Sequence, residues 1–346
     1  MASSLDKLSS YLTEYNIVKS EFPNLEPEKL SLIIKKNYFP YEYVTSSDKL
    51  DETCLPSIEK FYSSLTGTSI TDEQYKHAKT VWDKFQIKTL GEYSDLYMKV
   101  DILLLAEVFE NFREQCYKAY GLDIANYFTA PGLSWDAMLK YTGIDLELIT
   151  DIDQYNFIES GVRGGISVCT RRHAQANNKH MPNYDDTKES TFIIYLDATN
   201  LYGSALSASL PTGKFQWVPI TTDYNVPDHA DFGYILEVDL KYPKNIHDLH
   251  NDLPFCCENI EPPDSKQKKL LNTLDDKKNY IIHYVNLKQA VAYGLEVEKI
   301  HRILKFKQSQ WLKPYIDFNT QMRTDATNDF EKNFFKLMNN SVYGME

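Results

Sequence analysis

The segment NDFEKNFFKLMNNSVYGME, residues 328–346, carries cationic and amide side chains at helical spacing. At 100° per residue, Lys336, Asn340 and Tyr343 fall within a narrow arc, and Lys332 lies close to it. The opposite side collects Phe330, Phe334, Leu337, Met338 and Ser341. A helix that packs on one side and presents lysines one turn apart on the other can neutralise the phosphates of a nucleotide. The alternative is an ordinary solvated helix face.

A carboxylate follows a short apolar run in the middle of the chain. The run TFIIYL, residues 191–196, is β-branched and aromatic and predicts a buried strand that ends at Asp197. A carboxylate in that place, followed by a small-residue segment able to start a helix, suits a metal–phosphate site. Tyr202 would then lie against the sugar of a nucleotide. The alternative is an aspartate that caps the helix and a tyrosine in the core.

A third candidate pair lies one helical turn apart in the segment YMKVD. Tyr97 and Asp101 stand at the border of an apolar stripe, where a carboxylate needs a cation or hydrogen bonds to compensate for lost solvation. Together they can position a metal ion and its attacking water. The alternative is a hydrogen-bonded boundary pair.

The segment GVRGG, residues 161–165, places three glycines within five residues. Glycines permit positive φ and a close approach of the backbone to a partner, and Arg163 with the bases that follow it can bind phosphate. The stretch 161–180 holds Arg163, Arg171, Arg172 and Lys179 and no acid. It predicts a nucleic-acid contact, and a simple Gly-Gly turn is the alternative.

The overall charge of −12 opposes a polyanionic partner, because binding to nucleic acid depends on Lys and Arg. Positive charge is nevertheless concentrated in two places. One is the stretch 161–180, and the other is 264–313, with eleven Lys and Arg against five Asp and Glu. The alternative for such stretches is solvated surface.

Length and composition exclude several classes of protein. With 346 residues and 42% hydrophobic content the chain can bury a core of ordinary size, and no apolar run is long enough to span a bilayer. The start, MASSLDKLSS, lacks the features of a secretory signal. Five cysteines, without a C-x-x-C pair, argue for a reducing compartment and against zinc. We expect an intracellular globular protein.

Changes in composition and hydrophobic periodicity divide the chain into four stretches: 1–125, 126–190, 191–308 and 309–346. The first reads as mainly helical, and its last periodic run ends at Gly121. The second is a connector. The third contains strands and a helix closed by Gly294, and the fourth contains two helices. The pattern predicts an α/β or α+β body with a helical appendage.

Together these segments resemble family B DNA polymerases, specifically the protein-primed organellar and viral type that also occurs in linear plasmids and in Polinton or Maverick transposons. KLMNNSVYG, 336–344, fits the fingers motif K-x-x-x-N-S-x-Y-G at every specified position. DATNLYGSA is similar to the palm motif D-x-x-S-L-Y-P, with Asn200 in place of Ser and Gly203 in place of Pro. YMKVD fits the third exonuclease motif, Y-x-x-x-D. VRGG resembles the Y-x-G-G element, with Val162 in place of Tyr.

The resemblance implies a partial RNase H-like 3′–5′ exonuclease domain followed by a partial right-hand palm and fingers. It assigns the exonuclease part to 1–125, the connector with its VRGG element to 126–190, the first part of the palm with an insertion to 191–308, and the fingers helices to 309–346.

The same resemblance implies roles for individual residues. Asp197 would hold catalytic Mg²⁺, with Mn²⁺ as an alternative, and Tyr202 would exclude ribonucleotides. The implied catalytic residues are Asp197, Tyr202 and Lys336; the nucleotide-binding residues are Ala198, Leu201, Tyr202, Lys332, Lys336, Asn340 and Tyr343; the DNA-binding residues are Arg163, Gly164, Gly165, Arg171 and Arg172; the exonuclease residues are Tyr97 and Asp101; and the metal ligands are Asp101 and Asp197.

Two carboxylate motifs of the family are missing. No Asp-Thr-Asp follows Lys336 and no Asp-x-Glu precedes Tyr97, and one carboxylate in each site leaves a metal underligated. We therefore interpret the chain as an inactive fragment or decayed copy whose full-length parent performs template-directed DNA synthesis. One alternative is a non-catalytic DNA- or terminal-protein-binding remnant. Another is a stand-alone nuclease, which needs further carboxylates around Asp101.

The expected partners follow from this interpretation. They are primer–template DNA, deoxynucleoside triphosphates and a terminal protein, with no membrane. We expect a monomer, and a nuclear location if the gene is carried by a transposon.

Overall fold

The computed structural model describes residues 4–263 and 265–343. Gly344, the last residue of the fingers-like motif, lies outside these ranges. The chain forms two compact units. Unit 1 contains the residues up to Tyr141 and those from Asn319 onward, and unit 2 contains Thr142–Phe318. The predicted mixture of helices and strands is confirmed. The functional division into four stretches stays a prediction.

The helices are α1 (Leu5–Ser9), α2 (Asn16–Glu21), α3 (Pro27–Ile33), α4 (Asp72–Lys84), α5 (Leu90–Tyr120), α6 (Ala130–Thr142), α7 (Ile152–Gly161), α8 (Leu201–Leu206), α9 (His247–His250), α10 (Tyr284–Ala292), α11 (Lys313–Asp325) and α12 (Asp329–Tyr343). The strands are β1 (Leu210–Val218), β2 (Phe232–Lys241), β3 (Glu258–Ile260), β4 (Lys269–Leu271), β5 (Lys277–His283) and β6 (Glu296–Ser309). Short 3₁₀ helices occupy Ser47–Asp51, Ile58–Phe61, Ile124–Asn126 and Lys244–Ile246.

Unit 1 is organised around the 31-residue helix α5. The hydroxyl of Thr89 accepts the backbone N–H of Glu92 at 3.2 Å and so caps the first turn. The helix ends at Gly121, as predicted, because Gly121 has φ +64°, which costs little without a Cβ. The buried carboxylate of Glu107 accepts the N–H groups of Ile17 and Val18, at 2.5 and 2.9 Å, and so holds the first turn of α2 against α5.

Unit 2 is built on a four-stranded antiparallel sheet in the order β1-β6-β2-β5. The main core covers one face, where Leu236, Val238 and Ile303 are fully buried. On the other face Phe157 of α7 packs edge-on against Trp217, with ring centroids 4.9 Å apart.

The small sheet of β3 and β4 is tied to β5 by a buried cation. Lys277 of β5 is completely buried and donates to the Glu258 carboxylate at 2.8 Å and to the Thr273 hydroxyl at 2.8 Å. A buried ammonium group needs such acceptors, because its desolvation is costly.

The predicted buried strand at 191–196 is wrong. Within the described ranges only Thr191 pairs, through an isolated bridge to Asn177, and the backbone of residues 192–196 joins no sheet. The side chains from Phe192 to Leu196 are 62–90% exposed. An apolar run indicates a tendency to form a strand, but a strand also needs a neighbour with free backbone groups, and the described fold supplies none here.

Candidate nucleotide and nucleic-acid sites

Helix α12 in unit 1 presents the polar face that the sequence predicts. Lys332, Lys336 and Tyr343 are exposed, and Asn340 is half-buried. Phe334, Met338 and Ser341 on the opposite side are buried. The helical arc is therefore confirmed as a geometry, and the nucleotide-binding role of its residues stays a prediction.

The packed side of α12 is held by rings and buried hydrogen bonds within unit 1. Phe334 meets Phe112 of α5 edge-on at a centroid distance of 4.8 Å. The buried amide of Asn319 donates to Asn339 at 2.9 Å and accepts from the Tyr120 hydroxyl at 2.6 Å. These contacts fix the rotation of α12 about its axis, because a packed aromatic ring and a buried amide pair each permit few orientations.

The hydroxyl of Tyr97, on the buried side of α5, lies in a small, partly buried hydrogen-bond network. The Tyr97 hydroxyl shares a hydrogen bond of 2.6 Å with the hydroxyl of Tyr41. The rings of Phe39 and Tyr97 stack, with their centroids 5.4 Å apart. Burial raises the pKa of Tyr97 far above its usual range, and the hydrogen bonds to Tyr41 and to the Asp101 carboxylate add to this effect. Tyr97 is therefore a neutral donor, and the structure brings it together with Asp101. Tyr41 was missed in the sequence, since it lies 56 positions away and no spacing rule links them.

The palm-like residues lie in unit 2, in an exposed irregular segment. Asp197 and Ala198 have no regular secondary structure, and Leu201 and Tyr202 are exposed in the first turn of α8. The predicted helix after Asp197 is thus confirmed. The supporting strand before it is absent from the described fold, so the aspartate does not stand at the end of a sheet strand.

The two departures from the palm motif are physically coupled. Asn200 has φ +57° and directly precedes α8. Its side-chain amide lies so close to Gly203 that a Cβ there would be 2.3 Å from Nδ2 and 2.5 Å from Oδ1. A larger residue at 203 would require the Asn200 side chain to rotate away, so glycine at this position fits the present orientation of Asn200.

The GVRGG segment lies at the end of α7 in unit 2. Arg163 is half-buried, and Gly164 and Gly165 are exposed. Neither glycine has positive φ, so the conformational reason suggested by the sequence does not apply to them. Farther along, Arg171, Arg172 and Lys179 are exposed, and none of them forms an ion pair within the described ranges.

The second basic stretch, 264–313, is less positive than its composition indicates. Five of its eleven bases are paired with acids inside unit 2. The pairs are Lys277 with Glu258, Lys278 with Glu298, Lys288 with Asp228, Arg302 with Glu237, and Lys313 with Asp317. Several of the bases therefore stabilise the fold instead of forming a free positive surface.

The predicted metal ligands stand alone in the described parts of the chain. No three His, Cys, Asp or Glu side chains there converge on a point that could hold a metal ion. The Oδ1 atom of Asp101 is buried and has no hydrogen-bond partner among these residues, and Asp197 is exposed. A Mg²⁺ pair needs shared carboxylates, so Asp101 and Asp197 by themselves do not fit a two-metal centre.

None of the helices in the described ranges has the length and apolarity needed to span a membrane.

Comparison with known proteins identifies similarity to DNA polymerases. A curated relative from Podospora anserina, described as a probable DNA polymerase, is 26% identical over 169 residues, which are 48% of this chain and 13% of the relative. Among solved structures, Phi29 DNA polymerase in a ternary complex with primer–template DNA and incoming nucleotide substrates is 17% identical, with a TM-score of 0.46. The alignment covers 89% of this chain and 47% of that one. The binary complex of Phi29 DNA polymerase with primer–template DNA has 16% identity and a TM-score of 0.41, and covers 89% and 46%.

The chain thus spans less than half of the length of these relatives. The family model for DNA polymerase type B, organellar and viral, matches residues 28–345. Since this match takes in most of the sequence, the chain belongs to the organellar and viral type B DNA polymerases.

Proposed function

We propose that the chain carries nucleotide- and DNA-binding surfaces of a polymerase that performs template-directed DNA synthesis when complete. The observation that carries the proposal is the exposed face of α12, with Lys332 and Lys336 one turn apart above a firmly packed apolar side. The family match over 28–345 supports it. Related polymerases in solved structures are complexed with primer–template DNA and nucleotides, which is consistent with the same ligands here.

The chemistry of this face follows from its rigidity. Lysines act on phosphate as point charges, and a packed helix fixes the backbone positions from which their side chains extend. Asn340 can donate from its amide, and the Tyr343 ring can lie against a base. Tyr202, which is exposed on unit 2, is the residue that we propose for contact with a nucleotide sugar, because an aromatic ring beside the sugar would leave little room for a 2′-hydroxyl group.

Nucleotide binding by Lys336 can be tested without a metal ion. We expect Lys336→Gln to weaken the binding of a fluorescent deoxynucleoside triphosphate, measured by anisotropy in EDTA, by about tenfold, or 1.4 kcal/mol, because a charged hydrogen bond is lost. Lys118→Gln is the matched control, since Lys118 is exposed on α5 and pairs with the exposed Glu114. Equal affinities for the two variants would contradict the proposed role of α12.

DNA binding without catalysis is the second candidate, and a specific observation favours it. Arg171, Arg172 and Lys179 are exposed in one segment and form no ion pair within the described ranges, so their charges are available to phosphates. A gel shift with primer–template DNA at two salt concentrations tests this function. Binding that weakens steeply with salt supports it, and no binding at low salt contradicts it.

A further inference from the structure

Arg163 is engaged inside unit 2. Its Nη1 group donates to the carbonyl oxygen of Gly161 at 3.0 Å and to that of Ile281 at 2.7 Å. The guanidinium carbon lies 4.1 Å from the centre of the Tyr280 ring. Arg163 thus joins the residue that ends α7 to the edge strand β5 by two hydrogen bonds and one cation–π contact.

The backbone at Gly161 is close enough to β5 for this arrangement. A Cβ at Gly161 would lie 2.8 Å from Cγ2 of Ile281, so only glycine permits the approach. One turn earlier, Phe157 is buried in a cluster with Ile281. The end of α7 therefore packs closely against β5, and the contacts of Arg163 extend this packing to the residues that follow the helix.

A phosphate contact would compete with this role. To reach DNA with the same Nη1 group, Arg163 would have to leave two carbonyl acceptors and the Tyr280 ring. Lysine cannot replace these contacts fully, because it has no planar group to stack and donate at the same time. Arg171 and Arg172, eight and nine positions later, are exposed and carry no such contacts in the described chain.

We infer that Arg163 is a positioning residue that latches the start of the basic segment 163–179 to β5, and that phosphate contacts fall to Arg171 and Arg172. The latch itself is independent of the proposed function. Only the second part rests on DNA binding.

The first experiment needs no DNA. Hydrogen–deuterium exchange of the whole chain should show faster exchange in peptides that cover 161–168 and 277–283 for Arg163→Gln, and an intermediate rate for Arg163→Lys. The double variant Arg171→Gln/Arg172→Gln should match the unmodified chain in the same peptides. Unchanged exchange in Arg163→Gln would overturn the latch, and a uniform increase in all peptides of unit 2 would show general unfolding instead of a local latch.

The second experiment measures the salt dependence of primer–template binding. Each phosphate contact contributes about 0.9 to the slope of log K against log salt on duplex DNA. We expect Arg171→Gln/Arg172→Gln to reduce the slope by about 1.8. Arg163→Lys and Arg163→Gln should keep the slope while affinity falls. A slope reduced by about 0.9 in Arg163→Gln would identify Arg163 as a phosphate contact and overturn the inference.

The two outcomes separate the latch from the proposed function. If the unmodified chain binds no DNA, the proposed DNA-binding function and the assignment to Arg171 and Arg172 both fail. The exchange result still decides the latch. Lys118→Gln, in unit 1, is the control for nonspecific effects of charge removal.

Discussion

Burial changes the chemistry of several side chains whose spacing in the sequence is unremarkable. The Tyr97 hydroxyl is kept protonated by burial and by its neighbours Tyr41 and Asp101. Burial also raises the pKa of the Cys256 thiol to about 11, which makes it a poor nucleophile at neutral pH. Residue type alone predicts neither effect, because both depend on what surrounds the side chain.

The imidazole of His283 gives a prediction at this scale. Burial lowers its pKa from 6.5 to about 4, with Asp228 opposing the shift, and its ring stacks on Phe306. Because the folded-state pKa is below the unfolded one, the unfolded chain takes up the proton first as pH falls from 6.5 to 4. The folded chain with neutral His283 is thus most stable above that window, and the free energy of unfolding falls as pH falls through it, by roughly 3 kcal/mol.

The measurement is urea unfolding of the chain between pH 7 and pH 4. We expect His283→Gln to flatten the pH dependence of the unfolding free energy relative to the unmodified chain. His173→Gln is the control, since His173 is exposed in the connector. Parallel pH profiles for the unmodified chain and His283→Gln would show that His283 does not titrate as proposed.

At the scale of elements, helices were predicted more securely than the central strand. The periodic apolar residues of α5 and α12 indicate helices and their packed sides, and both are present. The run 191–196 has strand composition, but residues 192–196 have no strand partner in the described fold. Helical hydrogen bonds are made within the segment itself, whereas strand hydrogen bonds need a second segment.

The exposed run predicts self-association. Five adjacent apolar side chains with unpaired backbone can template pairing with another copy. We expect Ile194→Lys to lower the aggregated fraction, measured by light scattering at increasing protein concentration, by several-fold. Leu148→Lys removes an exposed apolar side chain that lies outside this run in the same unit, and it is the control. If both variants lower the scattering equally, the run 192–196 is not the cause of the aggregation.

At the scale of the whole molecule, the residues predicted to contact a nucleotide belong to two different units. Asp197, Ala198, Leu201 and Tyr202 lie in unit 2, and Lys332, Lys336, Asn340 and Tyr343 lie in unit 1. The chain leaves unit 1 after Tyr141 and returns to it at Asn319. Asp197 is the one carboxylate in these two sets of residues, and a metal pair needs several.

The lack of further carboxylates beside Asp197 leads to a prediction about polymerase activity. We expect the purified chain not to extend a primer on a template in the presence of Mg²⁺ and all four deoxynucleoside triphosphates, because Asp197 alone cannot hold a metal pair. Primer extension is resolved on a denaturing gel, with an active polymerase of the same family as the positive control. Extension that depends on both template and Mg²⁺ would show that the necessary ligands are present.

The amino-acid sequence by itself determined the features that depend on neighbours along the chain. These are the helical periodicity of α5 and α12, the polar and packed sides of α12, the stop at Gly121, the helix after Asp197, and the order of motifs by which the family is recognised. Each follows from residue types a few positions apart, where periodicity and backbone preference act.

Only the tertiary structure decided which distant groups meet. It placed Tyr41 on Tyr97, set Arg163 between β5 and α7, and buried Lys277 against Glu258. In the part of the chain that the structure describes, it left residues 192–196 without a strand partner. Pairs that lie far apart in the chain are selected by the packing of whole elements, so no local pattern in the sequence records them.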